Sequence, residues 1–374
     1  MPRPSLPTLF DGLPTDRARP LPVIGEQKDI HYHATSARTL LNGPETTGMG
    51  FWSINPYTGC AFGCAYCYAR YAHRYALDRA VAGERADESL MSDIAAMPAW
   101  LTFERRIFVK ENGAAALRAQ LRSLSRNPQR WAQLREDGIA IGTATDPYQP
   151  AERRFRVTRG ILEVLADYAG IPVSVTTKSP LVTRDIDLLQ RIAECSPVRV
   201  HVSLITTDRE LARRIEPRSP TPESRLRAVA RLRAAGIDAG MFVMPVLPGI
   251  TDGAEALDAL VRAIAAAGAT HLVAATLRLR ASARQRYLPF IEQEFPELAP
   301  RYRASYAGGY HVSQKYRDGL RAFVQGLCLK HGVPWGFGER REALADVVKE
   351  AAGGTVARSA GIATAVAEQL GLAI

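Results

Sequence analysis

The chain has 374 residues, of which 47% are hydrophobic and 23% charged, and its formal net charge is +10. This composition is typical of a globular protein with a large core, and five cysteines, three of them clustered, do not make a disulfide framework. No apolar run approaches the roughly 20 residues that span a membrane, and no secretory signal follows Met1. We therefore expect a cytoplasmic protein with no membrane partner.

The positive charge is spread along the chain rather than concentrated in one segment. It indicates an anionic partner, such as nucleic acid or a phosphorylated substrate. The alternative is an arginine-rich sequence with solvated surfaces, because no dense stripe of basic and aromatic residues marks a single-strand-binding surface.

Residues 1–49 are rich in Pro, Arg, Thr and Gly and show little periodicity. We expect an extended arm there, partly disordered or lying on the core. His31 and His33 could ligate a metal, but we interpret them as part of a surface loop.

A cysteine cluster follows a predicted short strand over 51–57. Cys60, Cys64 and Cys67 have the spacing C-x3-C-x2-C, between that strand and a predicted helix over 69–80. Thiolates are soft ligands suited to iron–sulfur clusters, zinc or Cu(I). In a [4Fe-4S] cluster, three cysteines would leave one iron open to a small molecule.

From residue 51 onward, six apolar strand-like runs alternate with helices. The predicted strands cover 51–57, 138–145, 171–177, 198–205, 239–246 and 270–277, and the predicted helices include 114–125, 157–169, 185–195, 222–235, 254–267 and 318–331. This alternation predicts an α/β fold with a parallel sheet, doubly wound or barrel-like, and six units fall short of the eight of a complete barrel.

The carboxyl ends of these strands carry polar side chains, and sites in parallel β/α folds form at those ends. After the cysteines, the polar residues are Thr143, Thr145, Asp146, Thr176, Thr177, Lys178, Ser203, Thr206, Asp252, Thr276 and Arg278. Each alone could be a helix N-cap or an ordinary turn residue. Together, around a cysteine loop, they predict a polar pocket.

With Tyr66 as the aromatic residue of C-x3-C-x-(aromatic)-C, this loop resembles the signature of the radical S-adenosylmethionine (radical SAM) superfamily. Asn55-Pro-Tyr-x-Gly-Cys, Thr143-x-Thr-Asp-Pro-Tyr-Gln-Pro and Pro245-x-Leu-Pro-Gly-Ile-Thr-Asp resemble, more narrowly, the spore photoproduct lyase-like branch. The resemblance covers about residues 50–255, and the cysteine motif is its most specific part.

The resemblance implies a partial (β/α)6 TIM-like barrel, which we place at residues 50–280, after an N-terminal extension (1–49) and before a mostly helical region (281–374). It implies that Cys60, Cys64 and Cys67 hold a [4Fe-4S] cluster whose fourth iron binds S-adenosylmethionine. Reductive cleavage of that cofactor gives a 5′-deoxyadenosyl radical, which abstracts hydrogen from a substrate. A reductant such as flavodoxin or ferredoxin is implied as a partner, with nucleic acid as an expected substrate class.

By position, Thr145, Lys178 and Ser203 resemble the family's cofactor-contacting residues. A Lys178 cation would meet the methionine carboxylate, and the two hydroxyls would bond the carboxylate or ribose. Tyr66 and Tyr68 resemble tyrosines that are implicated in hydrogen transfer in spore photoproduct lyase. The alternative for Tyr68 is packing with a hydrogen-bonded hydroxyl.

One departure from the family matters. Spore photoproduct lyase has a hydrogen-donating cysteine at the end of its second strand, whereas residues 142–145 here contain none. We expect Cys195 and Cys328 to be buried in helices, so neither replaces that cysteine or ligates a second cluster. The resemblance therefore implies the same radical chemistry on another substrate, and not thymine-dimer reversal.

Two alternatives stay open. One is a zinc site made by the three clustered cysteines and His73, in a nucleic-acid-binding module that is not an enzyme. The other is a radical SAM enzyme that modifies a peptide or a small metabolite.

Overall fold

The computed structural model describes residues 23–27, 29–47, 50–72, 91–92, 96 and 102–336. The strands are β1 (Val23–Gln27), β2 (Ile30–Thr35), β3 (Leu41–Asn42), β4 (Trp52–Ile54), β5 (Tyr57–Thr58), β6 (Arg106–Lys110), β7 (Ile139–Ile141), β8 (Val173–Thr177), β9 (Val198–Ser203), β10 (Asp238–Val246) and β11 (Leu272–Thr276). The α-helices are α1 (Pro44–Thr47), α2 (Gly113–Leu124), α3 (Pro128–Asp137), α4 (Ala151–Phe155), α5 (Val157–Leu165), α6 (Ile186–Ala193), α7 (Arg209–Ile215), α8 (Pro222–Ala234), α9 (Ala254–Ala266), α10 (Ala281–Glu294), α11 (Ala299–Ser305) and α12 (Gln314–His331). Short 3-10 helices precede α6 and α11.

The larger sheet has the strand order β11-β10-β9-β8-β7-β4-β3. Its six strands from β4 to β11 run parallel and in chain order, and only the edge strand β3 is antiparallel. Helices connect these parallel strands, so the α/β fold of a partial (β/α)6 barrel is confirmed.

The apolar runs form strands because both faces of the sheet are covered. Ile139 lies opposite Val173, which lies opposite Val198 on the next strand. Val175 and Val200, further along the same strands, are fully buried. Burial on both faces explains why these runs lack a strict alternation of apolar and polar residues.

Local signals set the helix ends. The Thr221 side chain accepts a hydrogen bond from the backbone of Ser224 at the start of α8, Pro222 occupies the first turn, and Gly236 follows the end with φ of 78°. Ser313 caps α12 in the same way, and Gly332 ends that helix in the left-handed conformation. Hydroxyl N-caps and C-terminal glycines of this kind satisfy the unpaired backbone groups of helix ends.

The N-terminal segment differs from the sequence-based expectation of an extended arm. A second, four-stranded sheet has the order β1-β2-β6-β5, and β2 pairs in parallel with β6. His31 and His33 lie on β2, and His33 is fully buried, so the prediction of a surface loop is wrong. The pairing partner of β2 is about 75 residues away in sequence, which local periodicity does not reveal. The division into three segments, 1–49, 50–280 and 281–374, stays a prediction.

Several predicted features lie outside the described residues. These are most of the predicted helix 69–80, including His73, and the last part of the predicted helical region, 337–374. Within the part of the chain that the structure describes, no helix has both the length and the apolar character that crossing a membrane requires.

The C-terminal helices cover one side of the cysteine loop. Tyr287 and Phe290 of α10 and Tyr302 of α11 belong to the same buried apolar cluster as Cys60 and Cys64. The Tyr302 hydroxyl donates to the carbonyl of Pro248, 2.7 Å away. The helical region therefore shares a buried apolar cluster with the cysteine loop.

A buried histidine pair lies within the larger sheet. His201 Nδ1 and His271 Nε2 are 2.9 Å apart, and the His201 ring stacks on Phe242 at a centroid distance of 4.2 Å. A side chain at Gly240 would overlap the His271 ring. Burial, followed by the charge of Arg199, lowers the pKa of His271 to about 3, so the folded protein keeps this ring neutral at neutral pH.

We expect this pair to make the protein sensitive to mild acid. Below the ordinary histidine pKa of about 6.5 the unfolded chain takes up a proton that folded His271 does not, so stability falls as pH falls from about 6.5 toward 3. Between pH 6.5 and 5, His271 accounts for a loss of about 2 kcal/mol in the free energy of unfolding. Urea unfolding curves across this range measure that loss.

The His271→Asn variant provides the comparison. Its unfolding free energy should fall less steeply between pH 6.5 and 5 than that of the wild type, whatever its absolute stability. Identical pH slopes in the two proteins would contradict this account of the histidine pair.

Candidate active site

The cysteine loop lies directly after β5 and turns into the protein. Cys60 and Cys64 have exposed fractions of 8% and 7%, and Cys67 is half-buried. The backbone of Cys60 donates to the carbonyl of Phe103, 3.0 Å away, and that of Ala65 donates to the carbonyl of Ile215, also 3.0 Å away. Residues from distant parts of the chain thus hold a short irregular segment inside the fold.

Two side chains that follow β7 hold the start of the loop. Thr145 Oγ1 donates to the carbonyl of Gly59 at 2.6 Å, and Gln149 Nε2 donates to the same carbonyl at 3.1 Å. Gln149 Oε1 accepts from the backbone N–H of Ala61 at 2.9 Å. Gln149 is fully buried, and we interpret it as a residue that positions the loop.

Arginines hold the rest of the loop. Arg70 Nη2 donates to the carbonyl of Cys64 at 2.8 Å, and Arg218 Nε donates to the carbonyl of Ala61 at 2.5 Å. Glu104 lies between these two arginines, 3.0 Å from Arg70 Nη2 and 2.5 Å from Arg218 Nη2. The carboxylate therefore joins the two guanidinium groups that fix the loop's carbonyl groups.

A cavity opens at the carboxyl ends of the parallel strands, with about 1460 Å³ of empty space, part of it open to solvent. All eight residues predicted for the site line it: Cys60, Cys64, Tyr66, Cys67, Tyr68, Thr145, Lys178 and Ser203. The structure thus brings these side chains together, while their individual roles stay predictions. A concave site with convergent polar groups at the strand ends is the usual place for a small-molecule ligand.

A buried ionic network lies beside the thiols. The Tyr66 hydroxyl donates to Glu216 Oε1, and Arg225 Nη2 donates to Glu216 Oε2 at 2.5 Å. Lys178 Nζ is 4.0 Å from Glu216 Oε1 and 5.7 Å from the centroid of the Tyr66 ring. Burial opposes ionisation of Lys178, but Cys64 and then Glu216 raise its pKa above the ordinary value, so the amine stays charged.

Asp146 holds the end of the neighbouring strand. Its carboxylate accepts from Thr177 Oγ1 at 2.6 Å and from the backbone N–H of Lys178 at 2.7 Å. These bonds direct the chain after β8 toward the cavity that Lys178 lines. Burial raises the pKa of Asp146, and the hydrogen bonds from Thr177 and Lys178 oppose that shift.

Burial is also the largest cause of the pKa shifts of the thiols and of the two tyrosines that line the cavity. It raises the pKa of Cys60 and Cys67, and that of Cys64 to about 12, while the Lys178 charge partly opposes the shift at Cys64. When a metal binds to thiols of this kind, it displaces their protons. The Tyr68 hydroxyl donates to the carbonyl of Thr143, and burial raises its pKa, so the phenol keeps its proton.

The remaining two cysteines lie away from the cavity. Cys328 is buried in α12, as expected. Cys195 is exposed and follows the end of α6, so the prediction that it is buried in a helix is wrong. The helix ends two residues before Cys195, because the chain turns there toward β9. Among the cavity-lining residues the only cysteines are the three of the loop, so none occupies the place of the lyase's hydrogen-donating cysteine.

The sequence did not reveal several residues that build the site. The ionic surroundings are formed by residues that no motif of the sequence assigned to the site: Glu216, Arg225, Glu104 and Arg70. A pair of opposite charges far apart in sequence gives no local signal. For Gln149 a signal existed, because it follows a strand end that was already identified as polar.

The arrangement of the cysteines bears on the kind of metal site. Within the described residues, no group of three or more His, Cys, Asp or Glu side chains is placed to hold a single metal ion. Zinc needs all its ligand atoms about 2.0–2.3 Å from one point. In an iron–sulfur cluster each thiolate binds its own iron, so the sulfurs can stand further apart. By the chemistry of its donor atoms, a set of three thiols on one loop is of the kind that binds an iron–sulfur cluster.

We expect the loop to reject any side chain at Gly59. Its φ is 91°, and a Cβ atom there would lie 2.8 Å from the carbonyl oxygen of Phe103. A Gly59→Ala variant should displace the loop and lose most of its bound iron after anaerobic reconstitution, with the free energy of unfolding lowered by about 1–3 kcal/mol. Iron analysis and urea unfolding measure the two effects.

The matched control is Gly326→Ala on the exposed side of α12, where no atom lies within 4 Å of the added Cβ. This variant should keep its iron and gain up to about 1 kcal/mol of stability, because alanine favours a helix over glycine. Full iron content in Gly59→Ala would show that iron binding does not depend on the close approach of the loop to the Phe103 carbonyl group.

Comparison with known proteins agrees with this geometry. The model of the Radical SAM superfamily matches residues 118–261, a range that begins after the cysteine loop. An uncharacterised protein of Mycobacterium tuberculosis is 38% identical over 304 residues, which make up 81% of this chain and 81% of that protein. An uncharacterised protein of Methanocaldococcus jannaschii is 29% identical over 202 residues, 53% of this chain and 61% of that protein.

Among solved structures, spore photoproduct lyase complexed with dinucleoside spore photoproduct has a similar fold. The TM-score is 0.57 at 16% identity, and the match covers 86% of this chain and 87% of that chain. A mutant of the same lyase with bound AdoMet and dinucleoside spore photoproduct gives the same values. At this level of identity the likeness shows the fold alone. From the family model, the relatives and the fold, we conclude that the chain belongs to the radical SAM superfamily of enzymes.

Proposed function

We propose that this enzyme holds a [4Fe-4S] cluster through Cys60, Cys64 and Cys67 and cleaves S-adenosylmethionine reductively at that cluster. The observation that carries the proposal is the placement of three thiols from one loop, two buried and one half-buried, in a cavity at the carboxyl ends of the strands, beside the charged Lys178. Three thiols without a fourth protein ligand suit a cluster that keeps one iron open for the cofactor.

When bound, the cluster and S-adenosylmethionine would together supply a 5′-deoxyadenosyl radical for hydrogen abstraction. We assign Lys178 to the methionine carboxylate, because its ammonium group is charged and lines the cavity. Ser203, at the end of β9, would bond the carboxylate or ribose. The aromatic rings that line the cavity, including Phe51 and Phe103, would keep water from the reacting atoms.

Thr145 receives two roles in this proposal. Its hydroxyl hydrogen is already donated to the carbonyl of Gly59, so toward a cofactor Thr145 can act only as an acceptor. It would therefore accept from an amino group or a ribose hydroxyl while it holds the cysteine loop. This is a narrower role than the general cofactor contact that the sequence predicts.

We propose Tyr68 as the residue that passes hydrogen between substrate and cofactor, because its protonated phenol lines the cavity. Tyr66 was predicted for the same role. Since its hydroxyl is bound to Glu216 within the ionic network, we propose that Tyr66 acts mainly by positioning Lys178.

An external electron is required, and we propose a reductant of the flavodoxin or ferredoxin class. A reducing cytoplasm is the compartment in which free thiols and an oxygen-sensitive cluster persist. A lyase reaction on thymine dimers is not part of the proposal, because Thr143 and Thr145 occupy the strand end where the family's cysteine would lie. Modification of a peptide or small metabolite is the alternative within the superfamily.

Anaerobically reconstituted wild-type protein should contain about four iron and four sulfide per chain and, with a reductant and S-adenosylmethionine, should produce 5′-deoxyadenosine. The Cys64→Ala variant should lose this production, because one cluster ligand is removed. Cys195→Ala is the matched control, since Cys195 is exposed and does not line the cavity. Chromatography of the nucleoside products, with iron and sulfide analysis, provides the measurement.

A wild-type protein that binds one zinc and never forms 5′-deoxyadenosine would overturn the proposal and favour the zinc-binding module. Equal losses in Cys64→Ala and Cys195→Ala would also count against the assignment of the ligands, because only the first residue lies on the loop.

We expect the Lys178→Met variant to bind S-adenosylmethionine about 10-fold or more weakly than the wild type, because it loses a charged hydrogen bond of about 1.5–3 kcal/mol. Equilibrium dialysis against labelled cofactor measures the dissociation constant in the reconstituted protein. The control is Lys330→Met, which removes an exposed lysine that is paired with Asp258 and does not line the cavity. An unchanged affinity for S-adenosylmethionine in Lys178→Met would show that Lys178 does not bind the cofactor.

A further inference from the structure

Two arginines follow the last parallel strand. Arg278 and Arg280 both line the cavity, and Arg280 is exposed to solvent at its mouth. Leu277 and Leu279 alternate with them and are buried, with exposed fractions of 1% and 2%. In an extended segment, alternate residues face the same side, so the leucines anchor the segment while both arginines face the cavity.

Both guanidinium groups contact one aromatic ring. The central carbon of Arg278 is 5.4 Å from the centroid of Tyr310, and that of Arg280 is 5.3 Å from it. The backbone N–H of Leu279 donates to the carbonyl of Tyr310 at 2.9 Å, which fixes the ring relative to the arginine segment. Tyr310 is 42% exposed, so one part of the ring stays available for another contact.

The two like charges lie close together and partly out of water. Burial lowers the pKa of Arg278, and the charge of Arg280 adds to that shift. Burial also lowers the pKa of the adjacent His311 to about 4, with contributions from Arg278, Arg317 and Arg280. The cluster thus has a positive potential that extends beyond the two arginines.

Among the residues that the structure describes, carboxylates pair with several other arginines near the cavity but not with Arg278 or Arg280. Glu104 pairs with Arg70 and Arg218, and Glu216 pairs with Arg225. In contrast, no Asp or Glu within the described ranges forms an ion pair with Arg278 or Arg280. Two neighbouring cations that are partly removed from water attract an anion.

The start of α10 adds to this preference. Arg280 occupies the N-cap position of this 14-residue helix, and its side chain makes no capping hydrogen bond. The first N–H groups and the positive end of the helix dipole therefore lie next to the arginine pair. The helix end is a second source of positive potential at the same place.

The aromatic surroundings indicate which anion fits. Tyr71, at the end of the cysteine loop, is 41% exposed and lines the same cavity as Arg278. Exposed aromatic rings beside arginines are the surfaces on which nucleobases stack. Guanidinium groups bind phosphate oxygens in a two-pronged manner.

We propose that Arg278 and Arg280, with Tyr310, form a phosphate-binding site for a nucleotide ligand whose sugar or base enters the cavity. This inference rests on the proposed function, because it assigns the substrate class of the same cavity. It goes beyond that function by naming the side chains that select a phosphate ester, carried either by a nucleic acid strand or by a free nucleotide.

The test measures binding and does not require turnover. Fluorescence anisotropy with a labelled oligothymidylate of about eight nucleotides should show the double variant R278Q/R280Q binding more than about 10-fold more weakly than the wild type. In the double variant the slope of log K against the logarithm of the salt concentration should be less steep by about 0.7 to 1.4, because each phosphate contact on a single strand contributes about 0.7 to that slope. The matched control is R262Q, which removes an exposed arginine of α9 that has no ion pair within the described residues.

Competition separates the two sources of phosphate. Thymidine monophosphate should displace the oligonucleotide from the wild type, and thymidine at the same concentration should not. If thymidine monophosphate binds through Arg278 and Arg280 while the oligonucleotide does not bind, the ligand is a free nucleotide and the phosphate site stands.

Equal binding by R278Q/R280Q and R262Q would overturn the inference, as would thymidine competing as well as its monophosphate. These outcomes differ from a failure of the proposed function, which would appear as wild-type protein that forms no 5′-deoxyadenosine. Circular dichroism of each variant checks that it is folded.

Discussion

An irregular loop can be buried only if its backbone polar groups find partners, and the cysteine loop depends on this constraint. Thr145 and Gln149 share the carbonyl of Gly59, while Arg218 and Arg70 hold the carbonyls of Ala61 and Cys64. These partners come from separate parts of the barrel. The thiols therefore reach the cavity only when the barrel is assembled, and the position of the loop reports on the packing of the whole domain.

The charges around the loop form two buried groups with different compositions. Beneath the loop, Glu104 faces Arg70, Arg218 and Arg286, which gives an excess of positive charge. Beside the thiols, Glu216 faces Arg225 and Lys178. Net positive surroundings stabilise thiolates, and they would also stabilise the added negative charge of a reduced iron–sulfur cluster held there.

Local patterns predicted the parts of the fold that depend on neighbouring residues. Apolar runs such as 171–177 and 198–205 became β8 and β9, and polar residues at their ends, such as Lys178 and Ser203, line the cavity. Long-range pairing was not predictable in this way. The strand that contains His33 pairs with β6 far along the chain, and Glu216 meets Tyr66 across 150 residues, so neither the second sheet nor the ionic network left a periodic signal.

The distance in sequence between the loop and its partners has a consequence for synthesis. Arg218 lies 157 residues after Ala61, whose carbonyl group it binds, and Gln149 lies 88 residues after the same residue, from whose backbone N–H it accepts a hydrogen bond. A ribosome needs roughly 8 to 30 s to add 157 residues. During that interval the three thiols have been translated but the groups that bury their loop have not. The nascent chain therefore passes through a period in which its cysteines are open to oxidation, and a group held by all three thiols in the folded cavity would be bound only after the later barrel strands have been made.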